Sequence, residues 1–265
     1  MLPYPDIDPV LISLGPLKIR WYGLMYVLGF GATYYLVRYQ IARFRWKELE
    51  KRFDNLNLYL ILGVILGGRL GYVLFYHPSY YLSHPLEIFA TWQGGMSFHG
   101  GCIGVILAGI LAARHYKLDF WKGADLYVVT IPVGLGLGRL GNFINNELYG
   151  RVTEVPWGML LPGAGPLPRH PSQLYEAFLE GFLLFAVLWG LKNKPWKEKP
   201  SQVWPHGSMF ALFLILYGIF RIFVEFFREP DAHLGTIFLD LTMGQLLSMA
   251  MIATGLFLWA IRARK

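Results

Sequence analysis

Seven apolar stretches divide this chain, and they constrain its fold more than any other feature. A transmembrane helix needs about 20 residues, and each stretch has or approaches that length. Only 15% of the residues are charged, against about 25% in an ordinary soluble domain. We therefore expect an all-α polytopic membrane protein with seven transmembrane helices, forming a single integral membrane domain over residues 1–265. The stretches are residues 21–37, 56–76, 97–113, 126–143, 174–191, 209–227 and 241–261.

The placement of lysine and arginine predicts the orientation, because basic residues accumulate in cytoplasmic loops. Most of the 24 basic residues follow the first, third, fifth and seventh stretches, and none lies in residues 77–96. The N-terminus is therefore predicted outside, in the periplasm, and the C-terminus in the cytoplasm. The net charge of +7 is spread over these inner loops without a motif for reading nucleic acid, so we expect a bilayer and no nucleic acid as partner.

The longest external connection, residues 145–172, contains five prolines, which prevent a continuous helix. It is predicted to form a small periplasmic cap between helices 4 and 5. Cys102 is the only cysteine, and no two histidines have the spacing of a metal site. The GxSxG elbow of serine hydrolases and the nucleotide P-loop are also missing from the sequence. We expect neither a metal nor a cofactor.

Polar residues within the apolar stretches indicate function, because such groups are costly in lipid. In the predicted topology they all lie in the outer half of the membrane, as one site opening near the outer surface would require. A purely structural scaffold would not need this shared depth. The residues are Tyr22, Arg69, His99, Arg139, Arg221 and Glu225.

Two of the stretches place donors on one helix face. Tyr217, Arg221 and Glu225 repeat every four residues, and Arg139 lies three residues before Asn142. Guanidinium and amide groups on a common face suit a phosphate diester, so an anionic ligand is predicted. The alternative for the first set is that Arg221 and Glu225 only neutralise each other between packed helices.

Arg69 and Arg139 share a local sequence, because Gly-Arg-Leu-Gly occurs at residues 68–71 and again at 138–141. An internal duplication would explain the repeat, and so would glycines that allow helices to approach closely beside a buried arginine.

His99 follows Ser97, a suitable cap for the helix predicted there. The partial positive charge of a helix N-terminus disfavours imidazolium, leaving a neutral histidine that accepts a proton. The alternative is a structural histidine bonded to a loop carbonyl.

These motifs resemble the prolipoprotein diacylglyceryl transferases of bacteria, and the resemblance extends over nearly the whole chain. The matching segments are Asp8-Pro9, RWYGLMY at 20–26, GGRLGYVLFY at 67–76, GGMSFHGG at 94–101, GRLGNFINNELYGR at 138–151, RHPSQLYE at 169–176 and YGIFRIFVEFFREPD at 217–231. One departure is Asn146, where the family motif commonly has glycine.

The resemblance implies an enzyme of the bacterial cytoplasmic (inner) membrane that faces the outer leaflet. Such an enzyme moves the diacylglyceryl group of phosphatidylglycerol to the thiol of the lipobox cysteine in a prolipoprotein signal peptide, forming a thioether and releasing glycerol phosphate. It further implies His99 as the base for the thiol and Arg139 and Arg221 as the phosphate binders. The predicted substrate-binding residues are Tyr22, Arg69, Asn142, Asn145, Glu147, Gly150, Tyr217 and Glu225.

A transporter or flippase for an anionic lipid is the alternative function, since it also needs arginines among membrane helices. Transporters commonly bind substrate at the membrane midplane, whereas the polar residues here are predicted in one leaflet. That asymmetry favours the enzyme.

Overall fold

The computed structural model describes residues 2–5, 7–15, 17–91, 94–196, 204–229, 236–238 and 241–263. Some residues used for the predictions lie outside this described part, namely Lys197, Lys199, Pro230, Asp231, Arg264 and Lys265. The chain forms two compact units, which are residues 41–123 and residues 1–40 with 124–265. The single membrane domain stays a prediction.

Helices form most of the described structure. They are α1 (Trp21–Phe44), α2 (Lys47–Glu50), α3 (Phe53–Phe75), α4 (Pro78–Ser83), α5 (Phe98–His115), α6 (Phe120–Val128), α7 (Ile131–Ile144), α8 (Ser172–Glu176), α9 (Leu184–Leu191), α10 (Ser208–Glu225) and α11 (Met243–Ala263). Short 3₁₀ turns cover Pro85–Phe89 and Lys194–Trp196, and Ala177–Leu183 is a π-helical turn between α8 and α9.

Short strands pair in twos among the described residues. They are β1 (Leu2–Pro3), β2 (Val10–Leu14), β3 (Leu17–Arg20), β4 (Met159–Leu160), β5 (Thr236–Phe238) and β6 (Leu241–Thr242). β2 and β3 form an antiparallel hairpin before α1, β5 and β6 pair antiparallel before α11, and β1 pairs parallel with β4.

Six helical runs in the described part of the chain are long and apolar enough to cross a membrane. They are Phe53–Phe75, Phe98–His115, Phe120–Ile144, Ser172–Trp196, Ser208–Glu225 and Met243–Arg262. They match the second to seventh predicted stretches, so a polytopic all-α membrane protein fits. α1 covers the first stretch with 24 residues, but it is not among the six because tyrosines, Arg38 and Gln40 lower its hydropathy.

The fourth stretch is interrupted, because α6 ends at Val128 and α7 begins at Ile131. Pro132 lies in the first turn of α7, where its missing N–H is tolerated, and its ring is incompatible with a continuous helix from α6. The carboxylate of buried Asp125 in α6 accepts hydrogen bonds from the N–H groups of Gly207 (2.7 Å) and Phe210 (3.1 Å). A neighbouring helix thus satisfies the free donors at the start of α10.

The unit of residues 41–123 is built around α3 and α5, which pack backbone against backbone. A Cβ atom at Gly67 would collide with the carbonyl of Gly100, and one at Gly104 with the carbonyl of Gly63. Glycines four residues apart on both helices therefore permit the close approach, as in small-residue packing of membrane helices.

In the larger unit, α7 packs on the π-helical turn at the point where Gly136 faces Gly181. A Cβ atom at Gly181 would lie 2.6 Å from Cα of Gly136, so no side chain fits between the two segments. The end of α7 and the segment between α7 and α8 form a small core, in which Phe143, Met159 and Leu161 are buried. Within this segment the backbone of Arg169 forms isolated antiparallel β-bridges with Val152 and Met159.

Candidate active site

Arg139 and Arg221, predicted on separate helices, meet at one carboxylate in the larger unit. Nε of Arg139 lies 2.6 Å from Oε2 of Glu176, and Nη1 of Arg221 lies 2.9 Å from the same oxygen. The Glu176 side chain is fully buried, whereas 20% of the Arg139 side chain and 12% of the Arg221 side chain are exposed. The two arginine side chains therefore share one buried carboxylate and are themselves partly exposed.

A second buried carboxylate, Glu180, lies one helical turn beyond Glu176. Its Oε1 is 3.7 Å from Nη1 of Arg221, and its Oε2 is 4.0 Å from Nη2 of Arg139. Glu180 belongs to the π-helical turn Ala177–Leu183, the segment that Gly181 fixes against α7. Single π-helical turns in α-helices frequently occur at functional sites.

Glu225 and Arg228 complete this ion-pair cluster. Oε2 of Glu225 lies 3.0 Å from Nη2 of Arg221, one turn earlier on α10, and its Oε1 accepts a hydrogen bond of 2.9 Å from the Thr242 hydroxyl. Nη1 of Arg228 lies 3.7 Å from Oε1 of Glu176. The Arg221–Glu225 pair predicted as mutual neutralisation thus exists, within a larger set of charges.

Tyr217 is largely buried one turn before Arg221, and its ring stacks on Phe213 at a centroid distance of 5.7 Å. Its hydroxyl is within electrostatic range of Glu180 and Arg139. The regular spacing of Tyr217, Arg221 and Glu225 therefore places all three at the ion-pair cluster.

The end of α7 forms a polar turn. Asn142 and Asn145 both donate side-chain hydrogen bonds to Oε1 of Glu147, at 2.8 and 3.2 Å. The Tyr22 hydroxyl is 3.0 Å from that of Tyr26 and lies beside Asn142. Four of the predicted substrate-binding residues therefore lie together, namely Tyr22, Asn142, Asn145 and Glu147. Because Glu147 is exposed, a ligand with hydroxyl groups can reach this turn.

Asn146 has a backbone φ of 54°, in the left-handed region that favours glycine and tolerates asparagine. Its side-chain NH₂ donates to the carbonyl of Pro162. The family glycine and the asparagine of this chain therefore meet the same backbone requirement, and the amide additionally ties the turn to the following segment.

Gly150 lies where three backbone segments meet. Its N–H donates to the carbonyl of His170 at 3.0 Å, and a Cβ atom would approach the carbonyls of His170 and Phe227 to 2.5 Å. The imidazole of His170 contacts the Tyr175 hydroxyl at 3.1 Å, and partial burial lowers the pKa of His170. Only glycine fits this close contact between backbone segments.

In the other unit, Arg69 of α3 is 4% exposed and bound by backbone carbonyls. Its guanidinium donates to Glu87 (2.5 Å), Ile88 (2.7 Å), Gly94 (2.7 Å) and Gly95 (3.1 Å). Four of its five N–H donors are therefore engaged by the connection between α3 and α5.

His99 is the second residue of α5 in the same unit, and its side chain is exposed. The predicted helix cap is confirmed, because the Ser97 hydroxyl oxygen accepts a hydrogen bond of 3.2 Å from the N–H of Gly100. The Ser97 N–H in turn donates to the carbonyl of Gly68 on α3 at 2.8 Å. His99 is therefore held at a well-ordered helix N-terminus.

The sequence reasoning did not select Glu176 or Glu180 as site residues. Both are glutamates at the start of an apolar stretch, four residues apart, and this is the signal that marked the arginines. Arg228 is a third member of the cluster that was not selected. Asking which acids balance the buried arginines would have found these residues.

Comparison with known proteins identifies the family of this chain. The family model for prolipoprotein diacylglyceryl transferase matches residues 9–261. This chain belongs to the prolipoprotein diacylglyceryl transferase family. Family membership makes it a transferase, and it favours the enzyme over the anionic-lipid transporter.

Relatives in the family align over almost their whole length. Three are named phosphatidylglycerol–prolipoprotein diacylglyceryl transferase. That of Desulfotalea psychrophila is 65% identical over 255 residues, covering 96% of this chain and 93% of the relative. That of Geobacter sulfurreducens is 54% identical and covers 99% and 98%, and that of Bordetella avium is 54% identical and covers 100% and 98%.

Proposed function

We propose that this chain transfers the diacylglyceryl group of phosphatidylglycerol to the thiol of the lipobox cysteine of a prolipoprotein, forming a thioether and releasing glycerol phosphate. The observation that carries the proposal is the convergence of Arg139 and Arg221 on one oxygen of Glu176, with both arginine side chains partly exposed. Paired guanidinium groups match the oxygens of a phosphate diester, and they stabilise the charge that builds up as the phosphate leaves.

We infer that the chain crosses the bacterial inner membrane seven times, with the N-terminus outside, the C-terminus inside and residues 145–172 as a periplasmic cap. The six apolar runs and the 24-residue length of α1 support seven spans. The distribution of basic residues supports the orientation. In this topology the reaction takes place at the outer leaflet, where lipid can enter laterally.

The other residues have separate roles in this proposal. His99, exposed at the N-terminus of α5, takes the proton of the incoming thiol. The polar turn of Asn142, Asn145 and Glu147, with Tyr22, binds the glycerol head group. Tyr217, Glu225 and Gly150 shape the site around the phosphate.

The direct test is transfer by the purified chain. Mixed with phosphatidylglycerol and a lipobox peptide, it should give a peptide with a thioether-linked diacylglyceryl group, detected by mass spectrometry. A peptide with serine for the lipobox cysteine should remain unmodified. The His99→Gln variant should transfer slowly, as loss of the base for the thiol requires. Absence of product, where a relative from the family is active, would refute the proposal.

A further inference from the structure

The ion-pair cluster in the larger unit contains equal numbers of basic and acidic groups when no substrate is bound. It contains the three guanidinium groups of Arg139, Arg221 and Arg228 and the carboxyl groups of Glu176, Glu180 and Glu225. All three carboxylates are at most 6% exposed, so little water compensates an excess charge. An anionic phosphate that binds the arginines would therefore leave the buried cluster with one uncompensated negative charge.

The three carboxylates are not equally stabilised. Glu176 lies 2.6 and 2.9 Å from two guanidinium nitrogens, and Glu225 has Arg221 at 3.0 Å and the Thr242 hydroxyl at 2.9 Å. Neither oxygen of Glu180 has a hydrogen bond among the described residues, and its nearest guanidinium nitrogens are at 3.7 and 4.0 Å. Protonation therefore removes weaker interactions at Glu180 than it would at Glu176 or Glu225.

The groups that face Glu180 come from every element packed around it. They are Arg139 from α7, Tyr217 and Arg221 from α10, Arg228 just after α10, and Glu176 one turn earlier. The arginines are the only cations in this set, and a bound phosphate would compete with Glu180 for their charge. Binding of the phosphate therefore removes the interactions that keep Glu180 ionised.

We propose that Glu180 accepts a proton when an anionic phosphate binds Arg139 and Arg221, and that it returns this proton to the phosphate that leaves. The inference rests on the proposed transfer reaction. In that reaction a carbon–sulfur bond forms while the carbon–oxygen bond to phosphate breaks, and the electron pair stays on the phosphate oxygen. The thiol proton goes to His99. The Glu180 proton goes to the phosphate, so glycerol phosphate leaves as a monoanion and Glu180 is again a carboxylate.

The test measures protons during binding, without a thiol substrate. The full chain in nanodiscs made of zwitterionic lipid is titrated with dihexanoyl phosphatidylglycerol at pH 7, by calorimetry in buffers with different ionisation enthalpies. We expect uptake of about one proton per phosphatidylglycerol bound in the unchanged chain and about none in Glu180→Gln. The matched variant Glu154→Gln, at an exposed position of the cap, should take up the same amount as the unchanged chain.

A second measurement keeps the proposal testable if Glu180→Gln does not fold. The infrared difference spectrum of the unchanged chain on phosphatidylglycerol binding should show a new protonated carboxyl band. Binding without proton uptake, without this band, or with equal uptake in a folded Glu180→Gln variant would overturn the proposal. Each of these results would leave the transferase assignment intact, because the thioether product is measured separately. A missing thioether product would instead refute the transfer reaction.

Discussion

The tetrapeptide Gly-Arg-Leu-Gly occurs in both units, and its two arginines have different partners. Arg69 is 4% exposed and donates four hydrogen bonds to backbone carbonyls, and it has no carboxylate within ion-pair distance among the described residues. Arg139 has a partly exposed side chain and pairs with the carboxylates of Glu176 and Glu180. The same local sequence therefore gives a structural clamp in one unit and an ion-pair site in the other.

The final glycine of each repeat lies at a close contact between segments. A Cβ atom at Gly71 would lie 2.8 Å from Cα of Gly100 on α5, and one at Gly141 would lie 2.8 Å from the Tyr22 ring. Close approach to a neighbouring segment is thus required two residues after the arginine in both places. The partners differ in kind, because loop carbonyls accept four hydrogen bonds from Arg69, whereas Arg139 pairs with carboxylates. In the proposed reaction a phosphate replaces such a carboxylate.

The largest expected effect is on turnover when Arg139 or Arg221 is replaced. Arg139→Ala or Arg221→Ala should reduce the transfer rate by about 100-fold or more, the usual cost of losing a group that stabilises a developing negative charge. The assay is thioether formation in membranes, with the amount of inserted protein checked by immunoblot. Normal rates in both variants would exclude these residues as phosphate binders.

Lysine substitutions compare the two arginines directly, because they keep the charge and remove the fork of donors. Arg69→Lys should lower the free energy of unfolding by about 1–3 kcal/mol, since one ammonium group cannot satisfy all four carbonyls. The affinity of the Arg69→Lys variant for phosphatidylglycerol should stay unchanged. Arg139→Lys should instead weaken phosphatidylglycerol binding. Thermal unfolding and lipid titration of both variants distinguish these results, and weaker lipid binding in Arg69→Lys would contradict the clamp.

The sequence predicts the apolar helices well, because span length and low charge are properties of single segments. It does not predict the break at Pro132 or the π-helical turn at Ala177–Leu183, since both depend on packing between helices. It identifies Arg139 and Arg221 by their cost in lipid. It cannot tell that loop carbonyls engage Arg69, because these acceptors lie 18 to 26 residues away and carry no side-chain signal.

The smallest effect is expected at Asn146, which follows the second tetrapeptide and has a φ of 54°. Asn146→Gly removes the hydrogen bond to the Pro162 carbonyl but relaxes the left-handed backbone, so stability should change by no more than about 0.5 kcal/mol. Asn146→Val should cost about 1–2 kcal/mol, because a β-branched residue is strained at this φ. Thermal unfolding of both variants and their transfer rates provide the test. If glycine proved as harmful as valine, the hydrogen bond to Pro162 rather than the backbone conformation would be what this turn requires.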